Sequence, residues 1–272
     1  DIGTAKIREE EKQGVPHHLI DIVDPDEEYN VARFVEDALD AIHQIHERNR
    51  IPLLTGGTGL YLKGLKSGIF EGVPSDPEIR NNLNERLEKE GSKVLFEELL
   101  KVDGGAAEKI HPNDTTRILR ALEVYLTSGT SLSQHLYLQK KSSRHAVFRN
   151  MVIIGLHSPR DLLYNRINAR TRGMIEGGLE EEVNTLLFMG YSPELKSMQS
   201  IGYRHMCNYI NGDWSERELY EILARDTRRY AKRQFTWFNK DKDIRWFEID
   251  KKSEIQQFIS SWLHSVKHDG KR

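Results

Sequence analysis

The 272-residue chain carries 38% hydrophobic and 30% charged positions, enough apolar residues for a sizeable core and too many residues for one minimal domain. Forty Lys and Arg stand against 42 Asp and Glu, a formal charge of −2, so any polyanion partner has to be met by local clustering of basic residues. One cysteine, Cys207, excludes an intramolecular disulfide framework and a cysteine-based zinc site, and no apolar run approaches the ~20 residues of a membrane span, so the sequence predicts a soluble, cytoplasmic protein.

The chain opens on DIGTAK without a methionine and reads as entered partway through. His17 to Val23, after Pro16, is a β-prone run ended by the Asp24-Pro25 turn, which predicts a strand. Val31, Phe34, Ala38, Leu39, Ile42 and Ile45 recur at helical spacing behind Asn30, so residues 30–48 are expected to form a capped amphipathic helix. Ile51 to Thr55 predicts a second strand, followed by the turn Gly56-Gly57-Thr58-Gly59 and a helix over Leu60 to Leu65. Such alternation describes an α/β domain with a parallel sheet, whose ligands gather at the carboxyl ends of the strands. Residues 78–140 carry helical apolar spacing and no convincing strand, as an inserted subdomain would. A strand is expected at Met151 to Leu156, then a helix opened by Ser158 as cap, Pro159 at its first position and Asp161 in its first turn. Long helices fill most of 179–238, a last strand falls at Ile244 to Ile249, and Glu254 to Val266 closes the chain as a helix.

Several features bear on chemistry. A glycine turn between a strand and a helix exposes backbone N–H groups that favour an anion, and Thr58 adds a hydroxyl; glycine there serves equally for conformation alone. Arg166 and Arg170 fall in the helical sector of Leu163, Ile167 and Met174, either snorkelling over apolar surface or presenting two forks to a diphosphate. Arg225, Arg228, Arg229, Lys232 and Arg233 cover an arc of about 140° on one helix. That stripe fits a nucleic-acid phosphate footprint and fits a solvated face as well. Gln234 lies in the opposite, apolar arc, where a buried amide ties backbone together or reads a base edge. Asp114 or Asn113 caps the helix that carries Arg117 and Arg120, and Gln199 to Arg204 is a glycine-bearing turn with an aromatic beside an arginine. The eleven histidines are scattered and form no metal motif, and no Ser-His-Asp or Cys-His set stands out.

Together, DIGTAK at Asp1, PHHLIDI at Pro16, YNVA at Tyr29, PLLTGGTGLYL at Pro52, SDPEIR at Ser75, HPND at His111 with RILRALEVY, the Arg166/Arg170/Met174 spacing, SIGYR at Ser200 and AKRQFTW at Ala231 resemble, in order, the tRNA dimethylallyltransferases of bacterial type. The resemblance implies an α/β, P-loop-kinase-like parallel sheet core flanked by helices, with the nucleotide- and ATP-binding character of that fold and a helical insertion: residues 1–75 and 145–272 for the core, 76–144 for a tRNA-facing insertion. It implies transfer of a dimethylallyl group from dimethylallyl diphosphate, accompanied by Mg²⁺, to the N6 amine of the adenosine 3′-adjacent to the anticodon, by a monomer acting on the tRNA anticodon stem-loop. Carried over by position, Arg166 and Arg170 match diphosphate-binding arginines. Thr58, Arg80, Thr116, Arg117, Ile118, Leu119 and Arg120 match tRNA-interacting positions. So do Gln199, Ser200, Ile201, Gly202, Tyr203, Arg204, Lys232, Arg233, Gln234, Phe235, Thr236, Trp237, Phe238 and Asn239.

The family's Walker-A-like loop and the Asp-Ser phrase with its general-base aspartate precede DIGTAK, and no G-x-x-x-x-G-K-[ST] occurs in the 272 residues. The resemblance therefore implies a P-loop segment and a catalytic base upstream of Asp1, no catalytic residue within this stretch, and no turnover by the stretch alone. Three other readings compete. An adenylate isopentenyltransferase acting on free nucleotide would need neither the helical segment nor the basic stripe, and a non-catalytic tRNA-binding protein would keep the RNA surface but fail to bind an allylic diphosphate. A small-molecule kinase of the same fold would transfer from ATP.

Overall fold

The computed structural model describes residues 1–68, 73–141, 148 and 150–269, and of 139–141 and 267–269 the backbone alone. The chain divides into two compact units, one made of Asp1–Leu62 with Phe148–Arg272 and the other of Lys63–Val147. In the first unit, α1 (Val31–Glu47) starts where Asn30 Oδ1 accepts the N–H groups of Ala32 and Arg33, and it buries Val35 and Ala38. α2 (Gly59–Ser67), of which the residues up to Leu62 belong to this unit, leaves the glycine turn and stacks Tyr61 on Phe34 of α1 with ring centroids 4.4 Å apart.

The second unit is helical throughout its described residues: α3 (Pro77–Glu90), α4 (Ser92–Val102), the short α5 (Gly104–Ala107), α6 (Thr115–Ser128) and α7 (Leu132–Lys141). Asp76 and Asp114 cap α3 and α6 through their carboxylates, as the sequence spacing predicts for the latter, and Gly129 ends α6 in the left-handed conformation. Leu83, Leu95, Leu99, Ile118 and Leu122, all at 0% exposure, form its own core.

The first unit resumes with β1 (Ile153–His157), α8 (Arg160–Glu176), α9 (Leu179–Phe188), α10 (Tyr203–Ile210), α11 (Glu216–Phe238), β2 (Ile244–Glu248) and α12 (Lys252–Asp269). β1 and β2 pair in parallel, in register Ile153 with Ile244 through His157 with Glu248. Parallel neighbours cannot be joined by a hairpin, and α8 to α11 are the connection. α11 begins with a capping box, Ser215 and Glu218 exchanging hydrogen bonds. Leu179, Val183, Met198, Met206, Leu219 and Leu223 pack where α9, α10 and α11 meet, and Phe258 of α12 closes on Phe247 of β2.

Three expectations are corrected. Residues 17–23 form no strand: Leu19 and Asp21 have φ of 60° and 54°, a left-handed backbone that no ladder accommodates. Ile51 to Thr55 form no strand either, for Leu53 is 86% exposed and the run has no ladder partner among the described residues; β-prone side chains make a strand only when a neighbour supplies the hydrogen bonds. At α8, Pro159 rather than Ser158 takes the capping position, with no side-chain hydrogen bond to the helix, while Asp161 does lie in the first turn. Among the described residues no helix is long and apolar enough to cross a membrane.

Candidate functional site

The glycine turn of the first unit is shaped by the far end of α11. Gln234 Nε2 donates to the Gly57 carbonyl at 3.0 Å, and a Cβ on Gly57 would stand 2.0 Å from that nitrogen. A Cβ on Gly59 would stand 2.2 Å from the Trp237 indole. A side chain at either position would force its neighbour to move, a small shift for the end of the Gln234 amide and a larger one for the Trp237 ring. Of the two roles open to Gln234, the structure displays the backbone tie. Thr58 sits exposed at the tip of the turn, its carbonyl receiving the N–H groups of Tyr61 and Leu62 as α2 begins. Phe235 stacks on Trp246 of β2, so the carboxyl end of α11 is anchored to the sheet while Lys232, Arg233, Thr236 and Asn239 stay exposed.

The basic face of α11 is real but not bare. Arg228 Nη1 donates to Asn168 Oδ1 of α8 at 2.6 Å and its guanidinium lies over the Tyr164 ring. Asp226 receives Arg225 Nε at 2.9 Å and Arg229 Nη1 at 3.5 Å on one oxygen, with Arg204 Nη2 at 3.6 Å from the other. A shallow cleft of about 390 Å³ along α8 and α11 is lined by Asn168, Tyr220, Arg225 and Arg228 among others, and by none of the glycine turn. On α8, Ile167 is buried whereas Arg166 and Arg170 are exposed, so the two arginines flank the apolar stripe instead of lying in it.

In the turn 199–204, Gln199 and Ser200 are exposed, but Tyr203 is 8% exposed and its hydroxyl donates to Glu182. Burial and that hydrogen bond raise the phenol's pKa. The Tyr203 ring is therefore a packing element and not the stacking platform that its place beside Arg204 suggested; it also lies against Gly3 of the DIGTAK phrase, where a Cβ would meet the ring at 2.6 Å.

In the helical unit, the 116–120 stretch splits by face. Thr116 and Arg117 are exposed; Ile118 and Leu119 are core residues, which corrects any expectation that their side chains reach a ligand. Arg80 and Arg120 converge on Glu123, at 3.4 and 2.9 Å from its Oε2, while Ser75 Oγ donates to Oε1 at 2.6 Å and Arg120 also binds the Val73 carbonyl. Burial opposes the charge on Glu123, which is 1% exposed, but the hydrogen bonds from Ser75 and Arg120 and the two guanidinium charges outweigh it and hold the carboxyl below the usual range.

The profile of the IPP transferase family matches residues 1–241. The chain is 52% identical over 263 residues to the tRNA dimethylallyltransferase of Desulfotalea psychrophila, covering 97% of this chain and 83% of that one, and 48% identical to the enzyme of Syntrophobacter fumaroxidans, covering 91% and 72%. The chain belongs to the IPP transferase, or tRNA dimethylallyltransferase, family. Among solved structures it is similar to the tRNA isopentenylpyrophosphate transferase of Bacillus halodurans, with 40% identity, a TM-score of 0.70 and coverage of 100% of this chain and 86% of that one. It is also similar to a eukaryotic dimethylallyltransferase acting on tRNA, with 28% identity, a TM-score of 0.76 and coverage of 98% and 68%. The fold class read from the sequence, a P-loop-kinase-like α/β core with helices around a parallel sheet, is that of this family.

Two features of this IPP transferase escaped the sequence reading. Glu123 interrupts the apolar run Ala121 to Val124 but falls beside Thr116, Arg120 and Thr127 on the polar arc of α6, so helical periodicity gives no signal of its burial. His205, at 0% exposure, bonds Asp226 through Nε2 at 3.2 Å, and nothing in the sequence separates it from ten other histidines. For Mg²⁺, no three of His, Cys, Asp and Glu converge among the described residues, so these residues build no protein cage for the ion.

Proposed function

We propose that this protein transfers the dimethylallyl group of dimethylallyl diphosphate to the exocyclic N6 amine of the adenosine 3′-adjacent to the anticodon of a tRNA. The observation that carries this reading is the docking of Gln234 and Trp237 onto the Gly57-Thr58-Gly59 turn: two phrases matching one family, distant in sequence, form one structural piece. In the reaction the allylic C–O bond to diphosphate breaks, the C–N6 bond forms, and N6 releases a proton. Neutralising the leaving diphosphate and holding the amine in line supply the acceleration.

In this reading Arg166 and Arg170 grip the diphosphate from the exposed side of α8, and the turn contributes its N–H groups and the start of α2. Mg²⁺, where bound, would supply further neutralisation of the diphosphate's charge. Thr58, Arg80, Thr116, Arg117 and Arg120, the exposed members of 199–204 and of 232–239, and the helical unit as a whole meet the tRNA anticodon stem-loop. The protein acts in the cytoplasm as a monomer, and each catalytic event engages one stem-loop.

The test is transfer of labelled dimethylallyl diphosphate to an anticodon stem-loop and to the same stem-loop lacking the target adenosine. Label in the first alone supports the reading, and label on free adenylate instead would favour an adenylate isopentenyltransferase. A polypeptide made to start at Asp1 carries no G-x-x-x-x-G-K-[ST] and is expected to bind the stem-loop without transferring the group. Transfer by that polypeptide would show that the arginines and the glycine turn suffice.

A further inference from the structure

Asp226 is an acid on the most basic face of the chain, and that position calls for an explanation. A carboxylate there subtracts one charge from a surface meant for phosphates and on electrostatics alone weakens RNA binding. Its surroundings give it another task. His205 is wholly buried beside the Trp214 ring, and both of its nitrogens are used: the Gly202 N–H points at Nδ1 at 3.4 Å, which leaves the proton on Nε2 to be donated to Asp226 Oδ2 at 3.2 Å. Gly202, at φ 101° and packed on Gly3, belongs to the Ser200–Arg204 turn. Asp226 in turn takes Arg225 and Arg229 from its own helix and Arg204 from that turn. A hydrogen-bonded line thus runs from the backbone of the turn, through a buried imidazole, to the carboxylate around which three arginines are arranged.

We propose that His205 and Asp226 are positioning residues for RNA: they lock the Ser200–Arg204 turn to the basic face of α11 so that Arg204, Arg225 and Arg229 meet the phosphate backbone as one prearranged surface. This rests on the reading of the substrate as tRNA. Ordering long arginine side chains before binding removes a cost that would otherwise fall on the complex, about 0.5–1.5 kcal/mol for each side chain immobilised. The buried, depressed histidine is consistent with a neutral link whose proton stays on Nε2.

The sign of one substitution separates this role from that of a mere countercharge. In the full chain, Asp226→Ala deletes a negative charge; a countercharge lost from a phosphate-binding face makes RNA bind more tightly, whereas a positioning carboxylate lost makes it bind about tenfold more weakly. His205→Leu is expected to weaken binding to a similar degree, and His205→Gln, which keeps an acceptor for Gly202 and a donor for Asp226, to stay within about twofold of the wild type. Affinity is measured with an unmodified anticodon stem-loop at fixed salt, beside the KM for dimethylallyl diphosphate, which a positioning role leaves unmoved and a general loss of structure does not. Tighter or unchanged RNA binding by Asp226→Ala overturns the proposal, as does a parallel rise of both constants in Asp226→Ala and His205→Gln. Should the wild type itself fail to bind the stem-loop, the substrate reading falls and takes this inference with it, a result distinct from failure of the variants alone.

Discussion

Glu123 makes the helical unit sensitive at one side chain. Replacing it by Gln keeps the volume but takes the countercharge from Arg80 and Arg120, which are 30% and 36% exposed and so partly rescued by water. We expect a loss of roughly 2 kcal/mol of stability, read as a lower melting temperature of the unit, with weaker stem-loop binding because the two guanidinium groups lose their anchor. At the glycine turn, Gly59→Ala would drive a methyl into the Trp237 ring. Expulsion of the ring should cost about 1–3 kcal/mol and lower kcat/KM, and Thr58→Ala, which leaves the packing untouched, should lower kcat/KM without the stability loss. Single residues are legible in the sequence where their backbone context is: Asn30 reads as a cap, and the cap of α6 narrows to Asn113 or Asp114, of which the structure selects Asp114, because a cap is a local device. Tyr203 and His205 are not, since their burial is decided by packing against α9 and α11, which the local pattern does not show.

At the scale of elements, helices were read within a few residues because their hydrogen bonds are internal and their apolar period is written locally. α1 matches its expected span, α8 to α11 account for the long helices expected up to residue 238, and β1 and β2 are found because each has the other as partner. The runs at 17–23 and 51–55 failed as strands for the reason given: strand propensity is a property of a neighbourhood. α11 is the element on which the RNA reading depends most. Paired Lys232→Ala and Arg233→Ala substitutions on its exposed side should weaken stem-loop binding and reduce the slope of log affinity against log salt by up to about 2, with little effect on folding. An unchanged slope would remove these two residues from the interface.

For the molecule as a whole, the two units have separate cores and separate acid-sensitive groups. Burial depresses His205, so the unfolded chain takes up a proton near the ordinary value of 6.5 and the folded one at lower pH. Its contribution is complete above about 6.5 and is lost as pH falls below it, since the unfolded state then binds more protons. Glu123 is held below the ordinary value of 4.5, so its contribution to the helical unit is complete above about 4.5 and fades only as pH drops through its lower folded value. Acid titration followed by hydrogen exchange should therefore show protection in α10 and α11 weakening at higher pH than protection in α3, α4 and α6.

The hydrogen bond from Gln234 to Gly57 spans 177 residues. On a ribosome adding about 5–20 residues per second, the turn waits about ten to thirty-five seconds before the side chains that hold its shape are even synthesised. The segment around Thr58 is therefore born unsupported and gains the side chains that hold its shape only once α11 has been synthesised. A nascent chain arrested before Lys232 should be cut readily by protease near residues 56–59, and one arrested after α11 has emerged should resist.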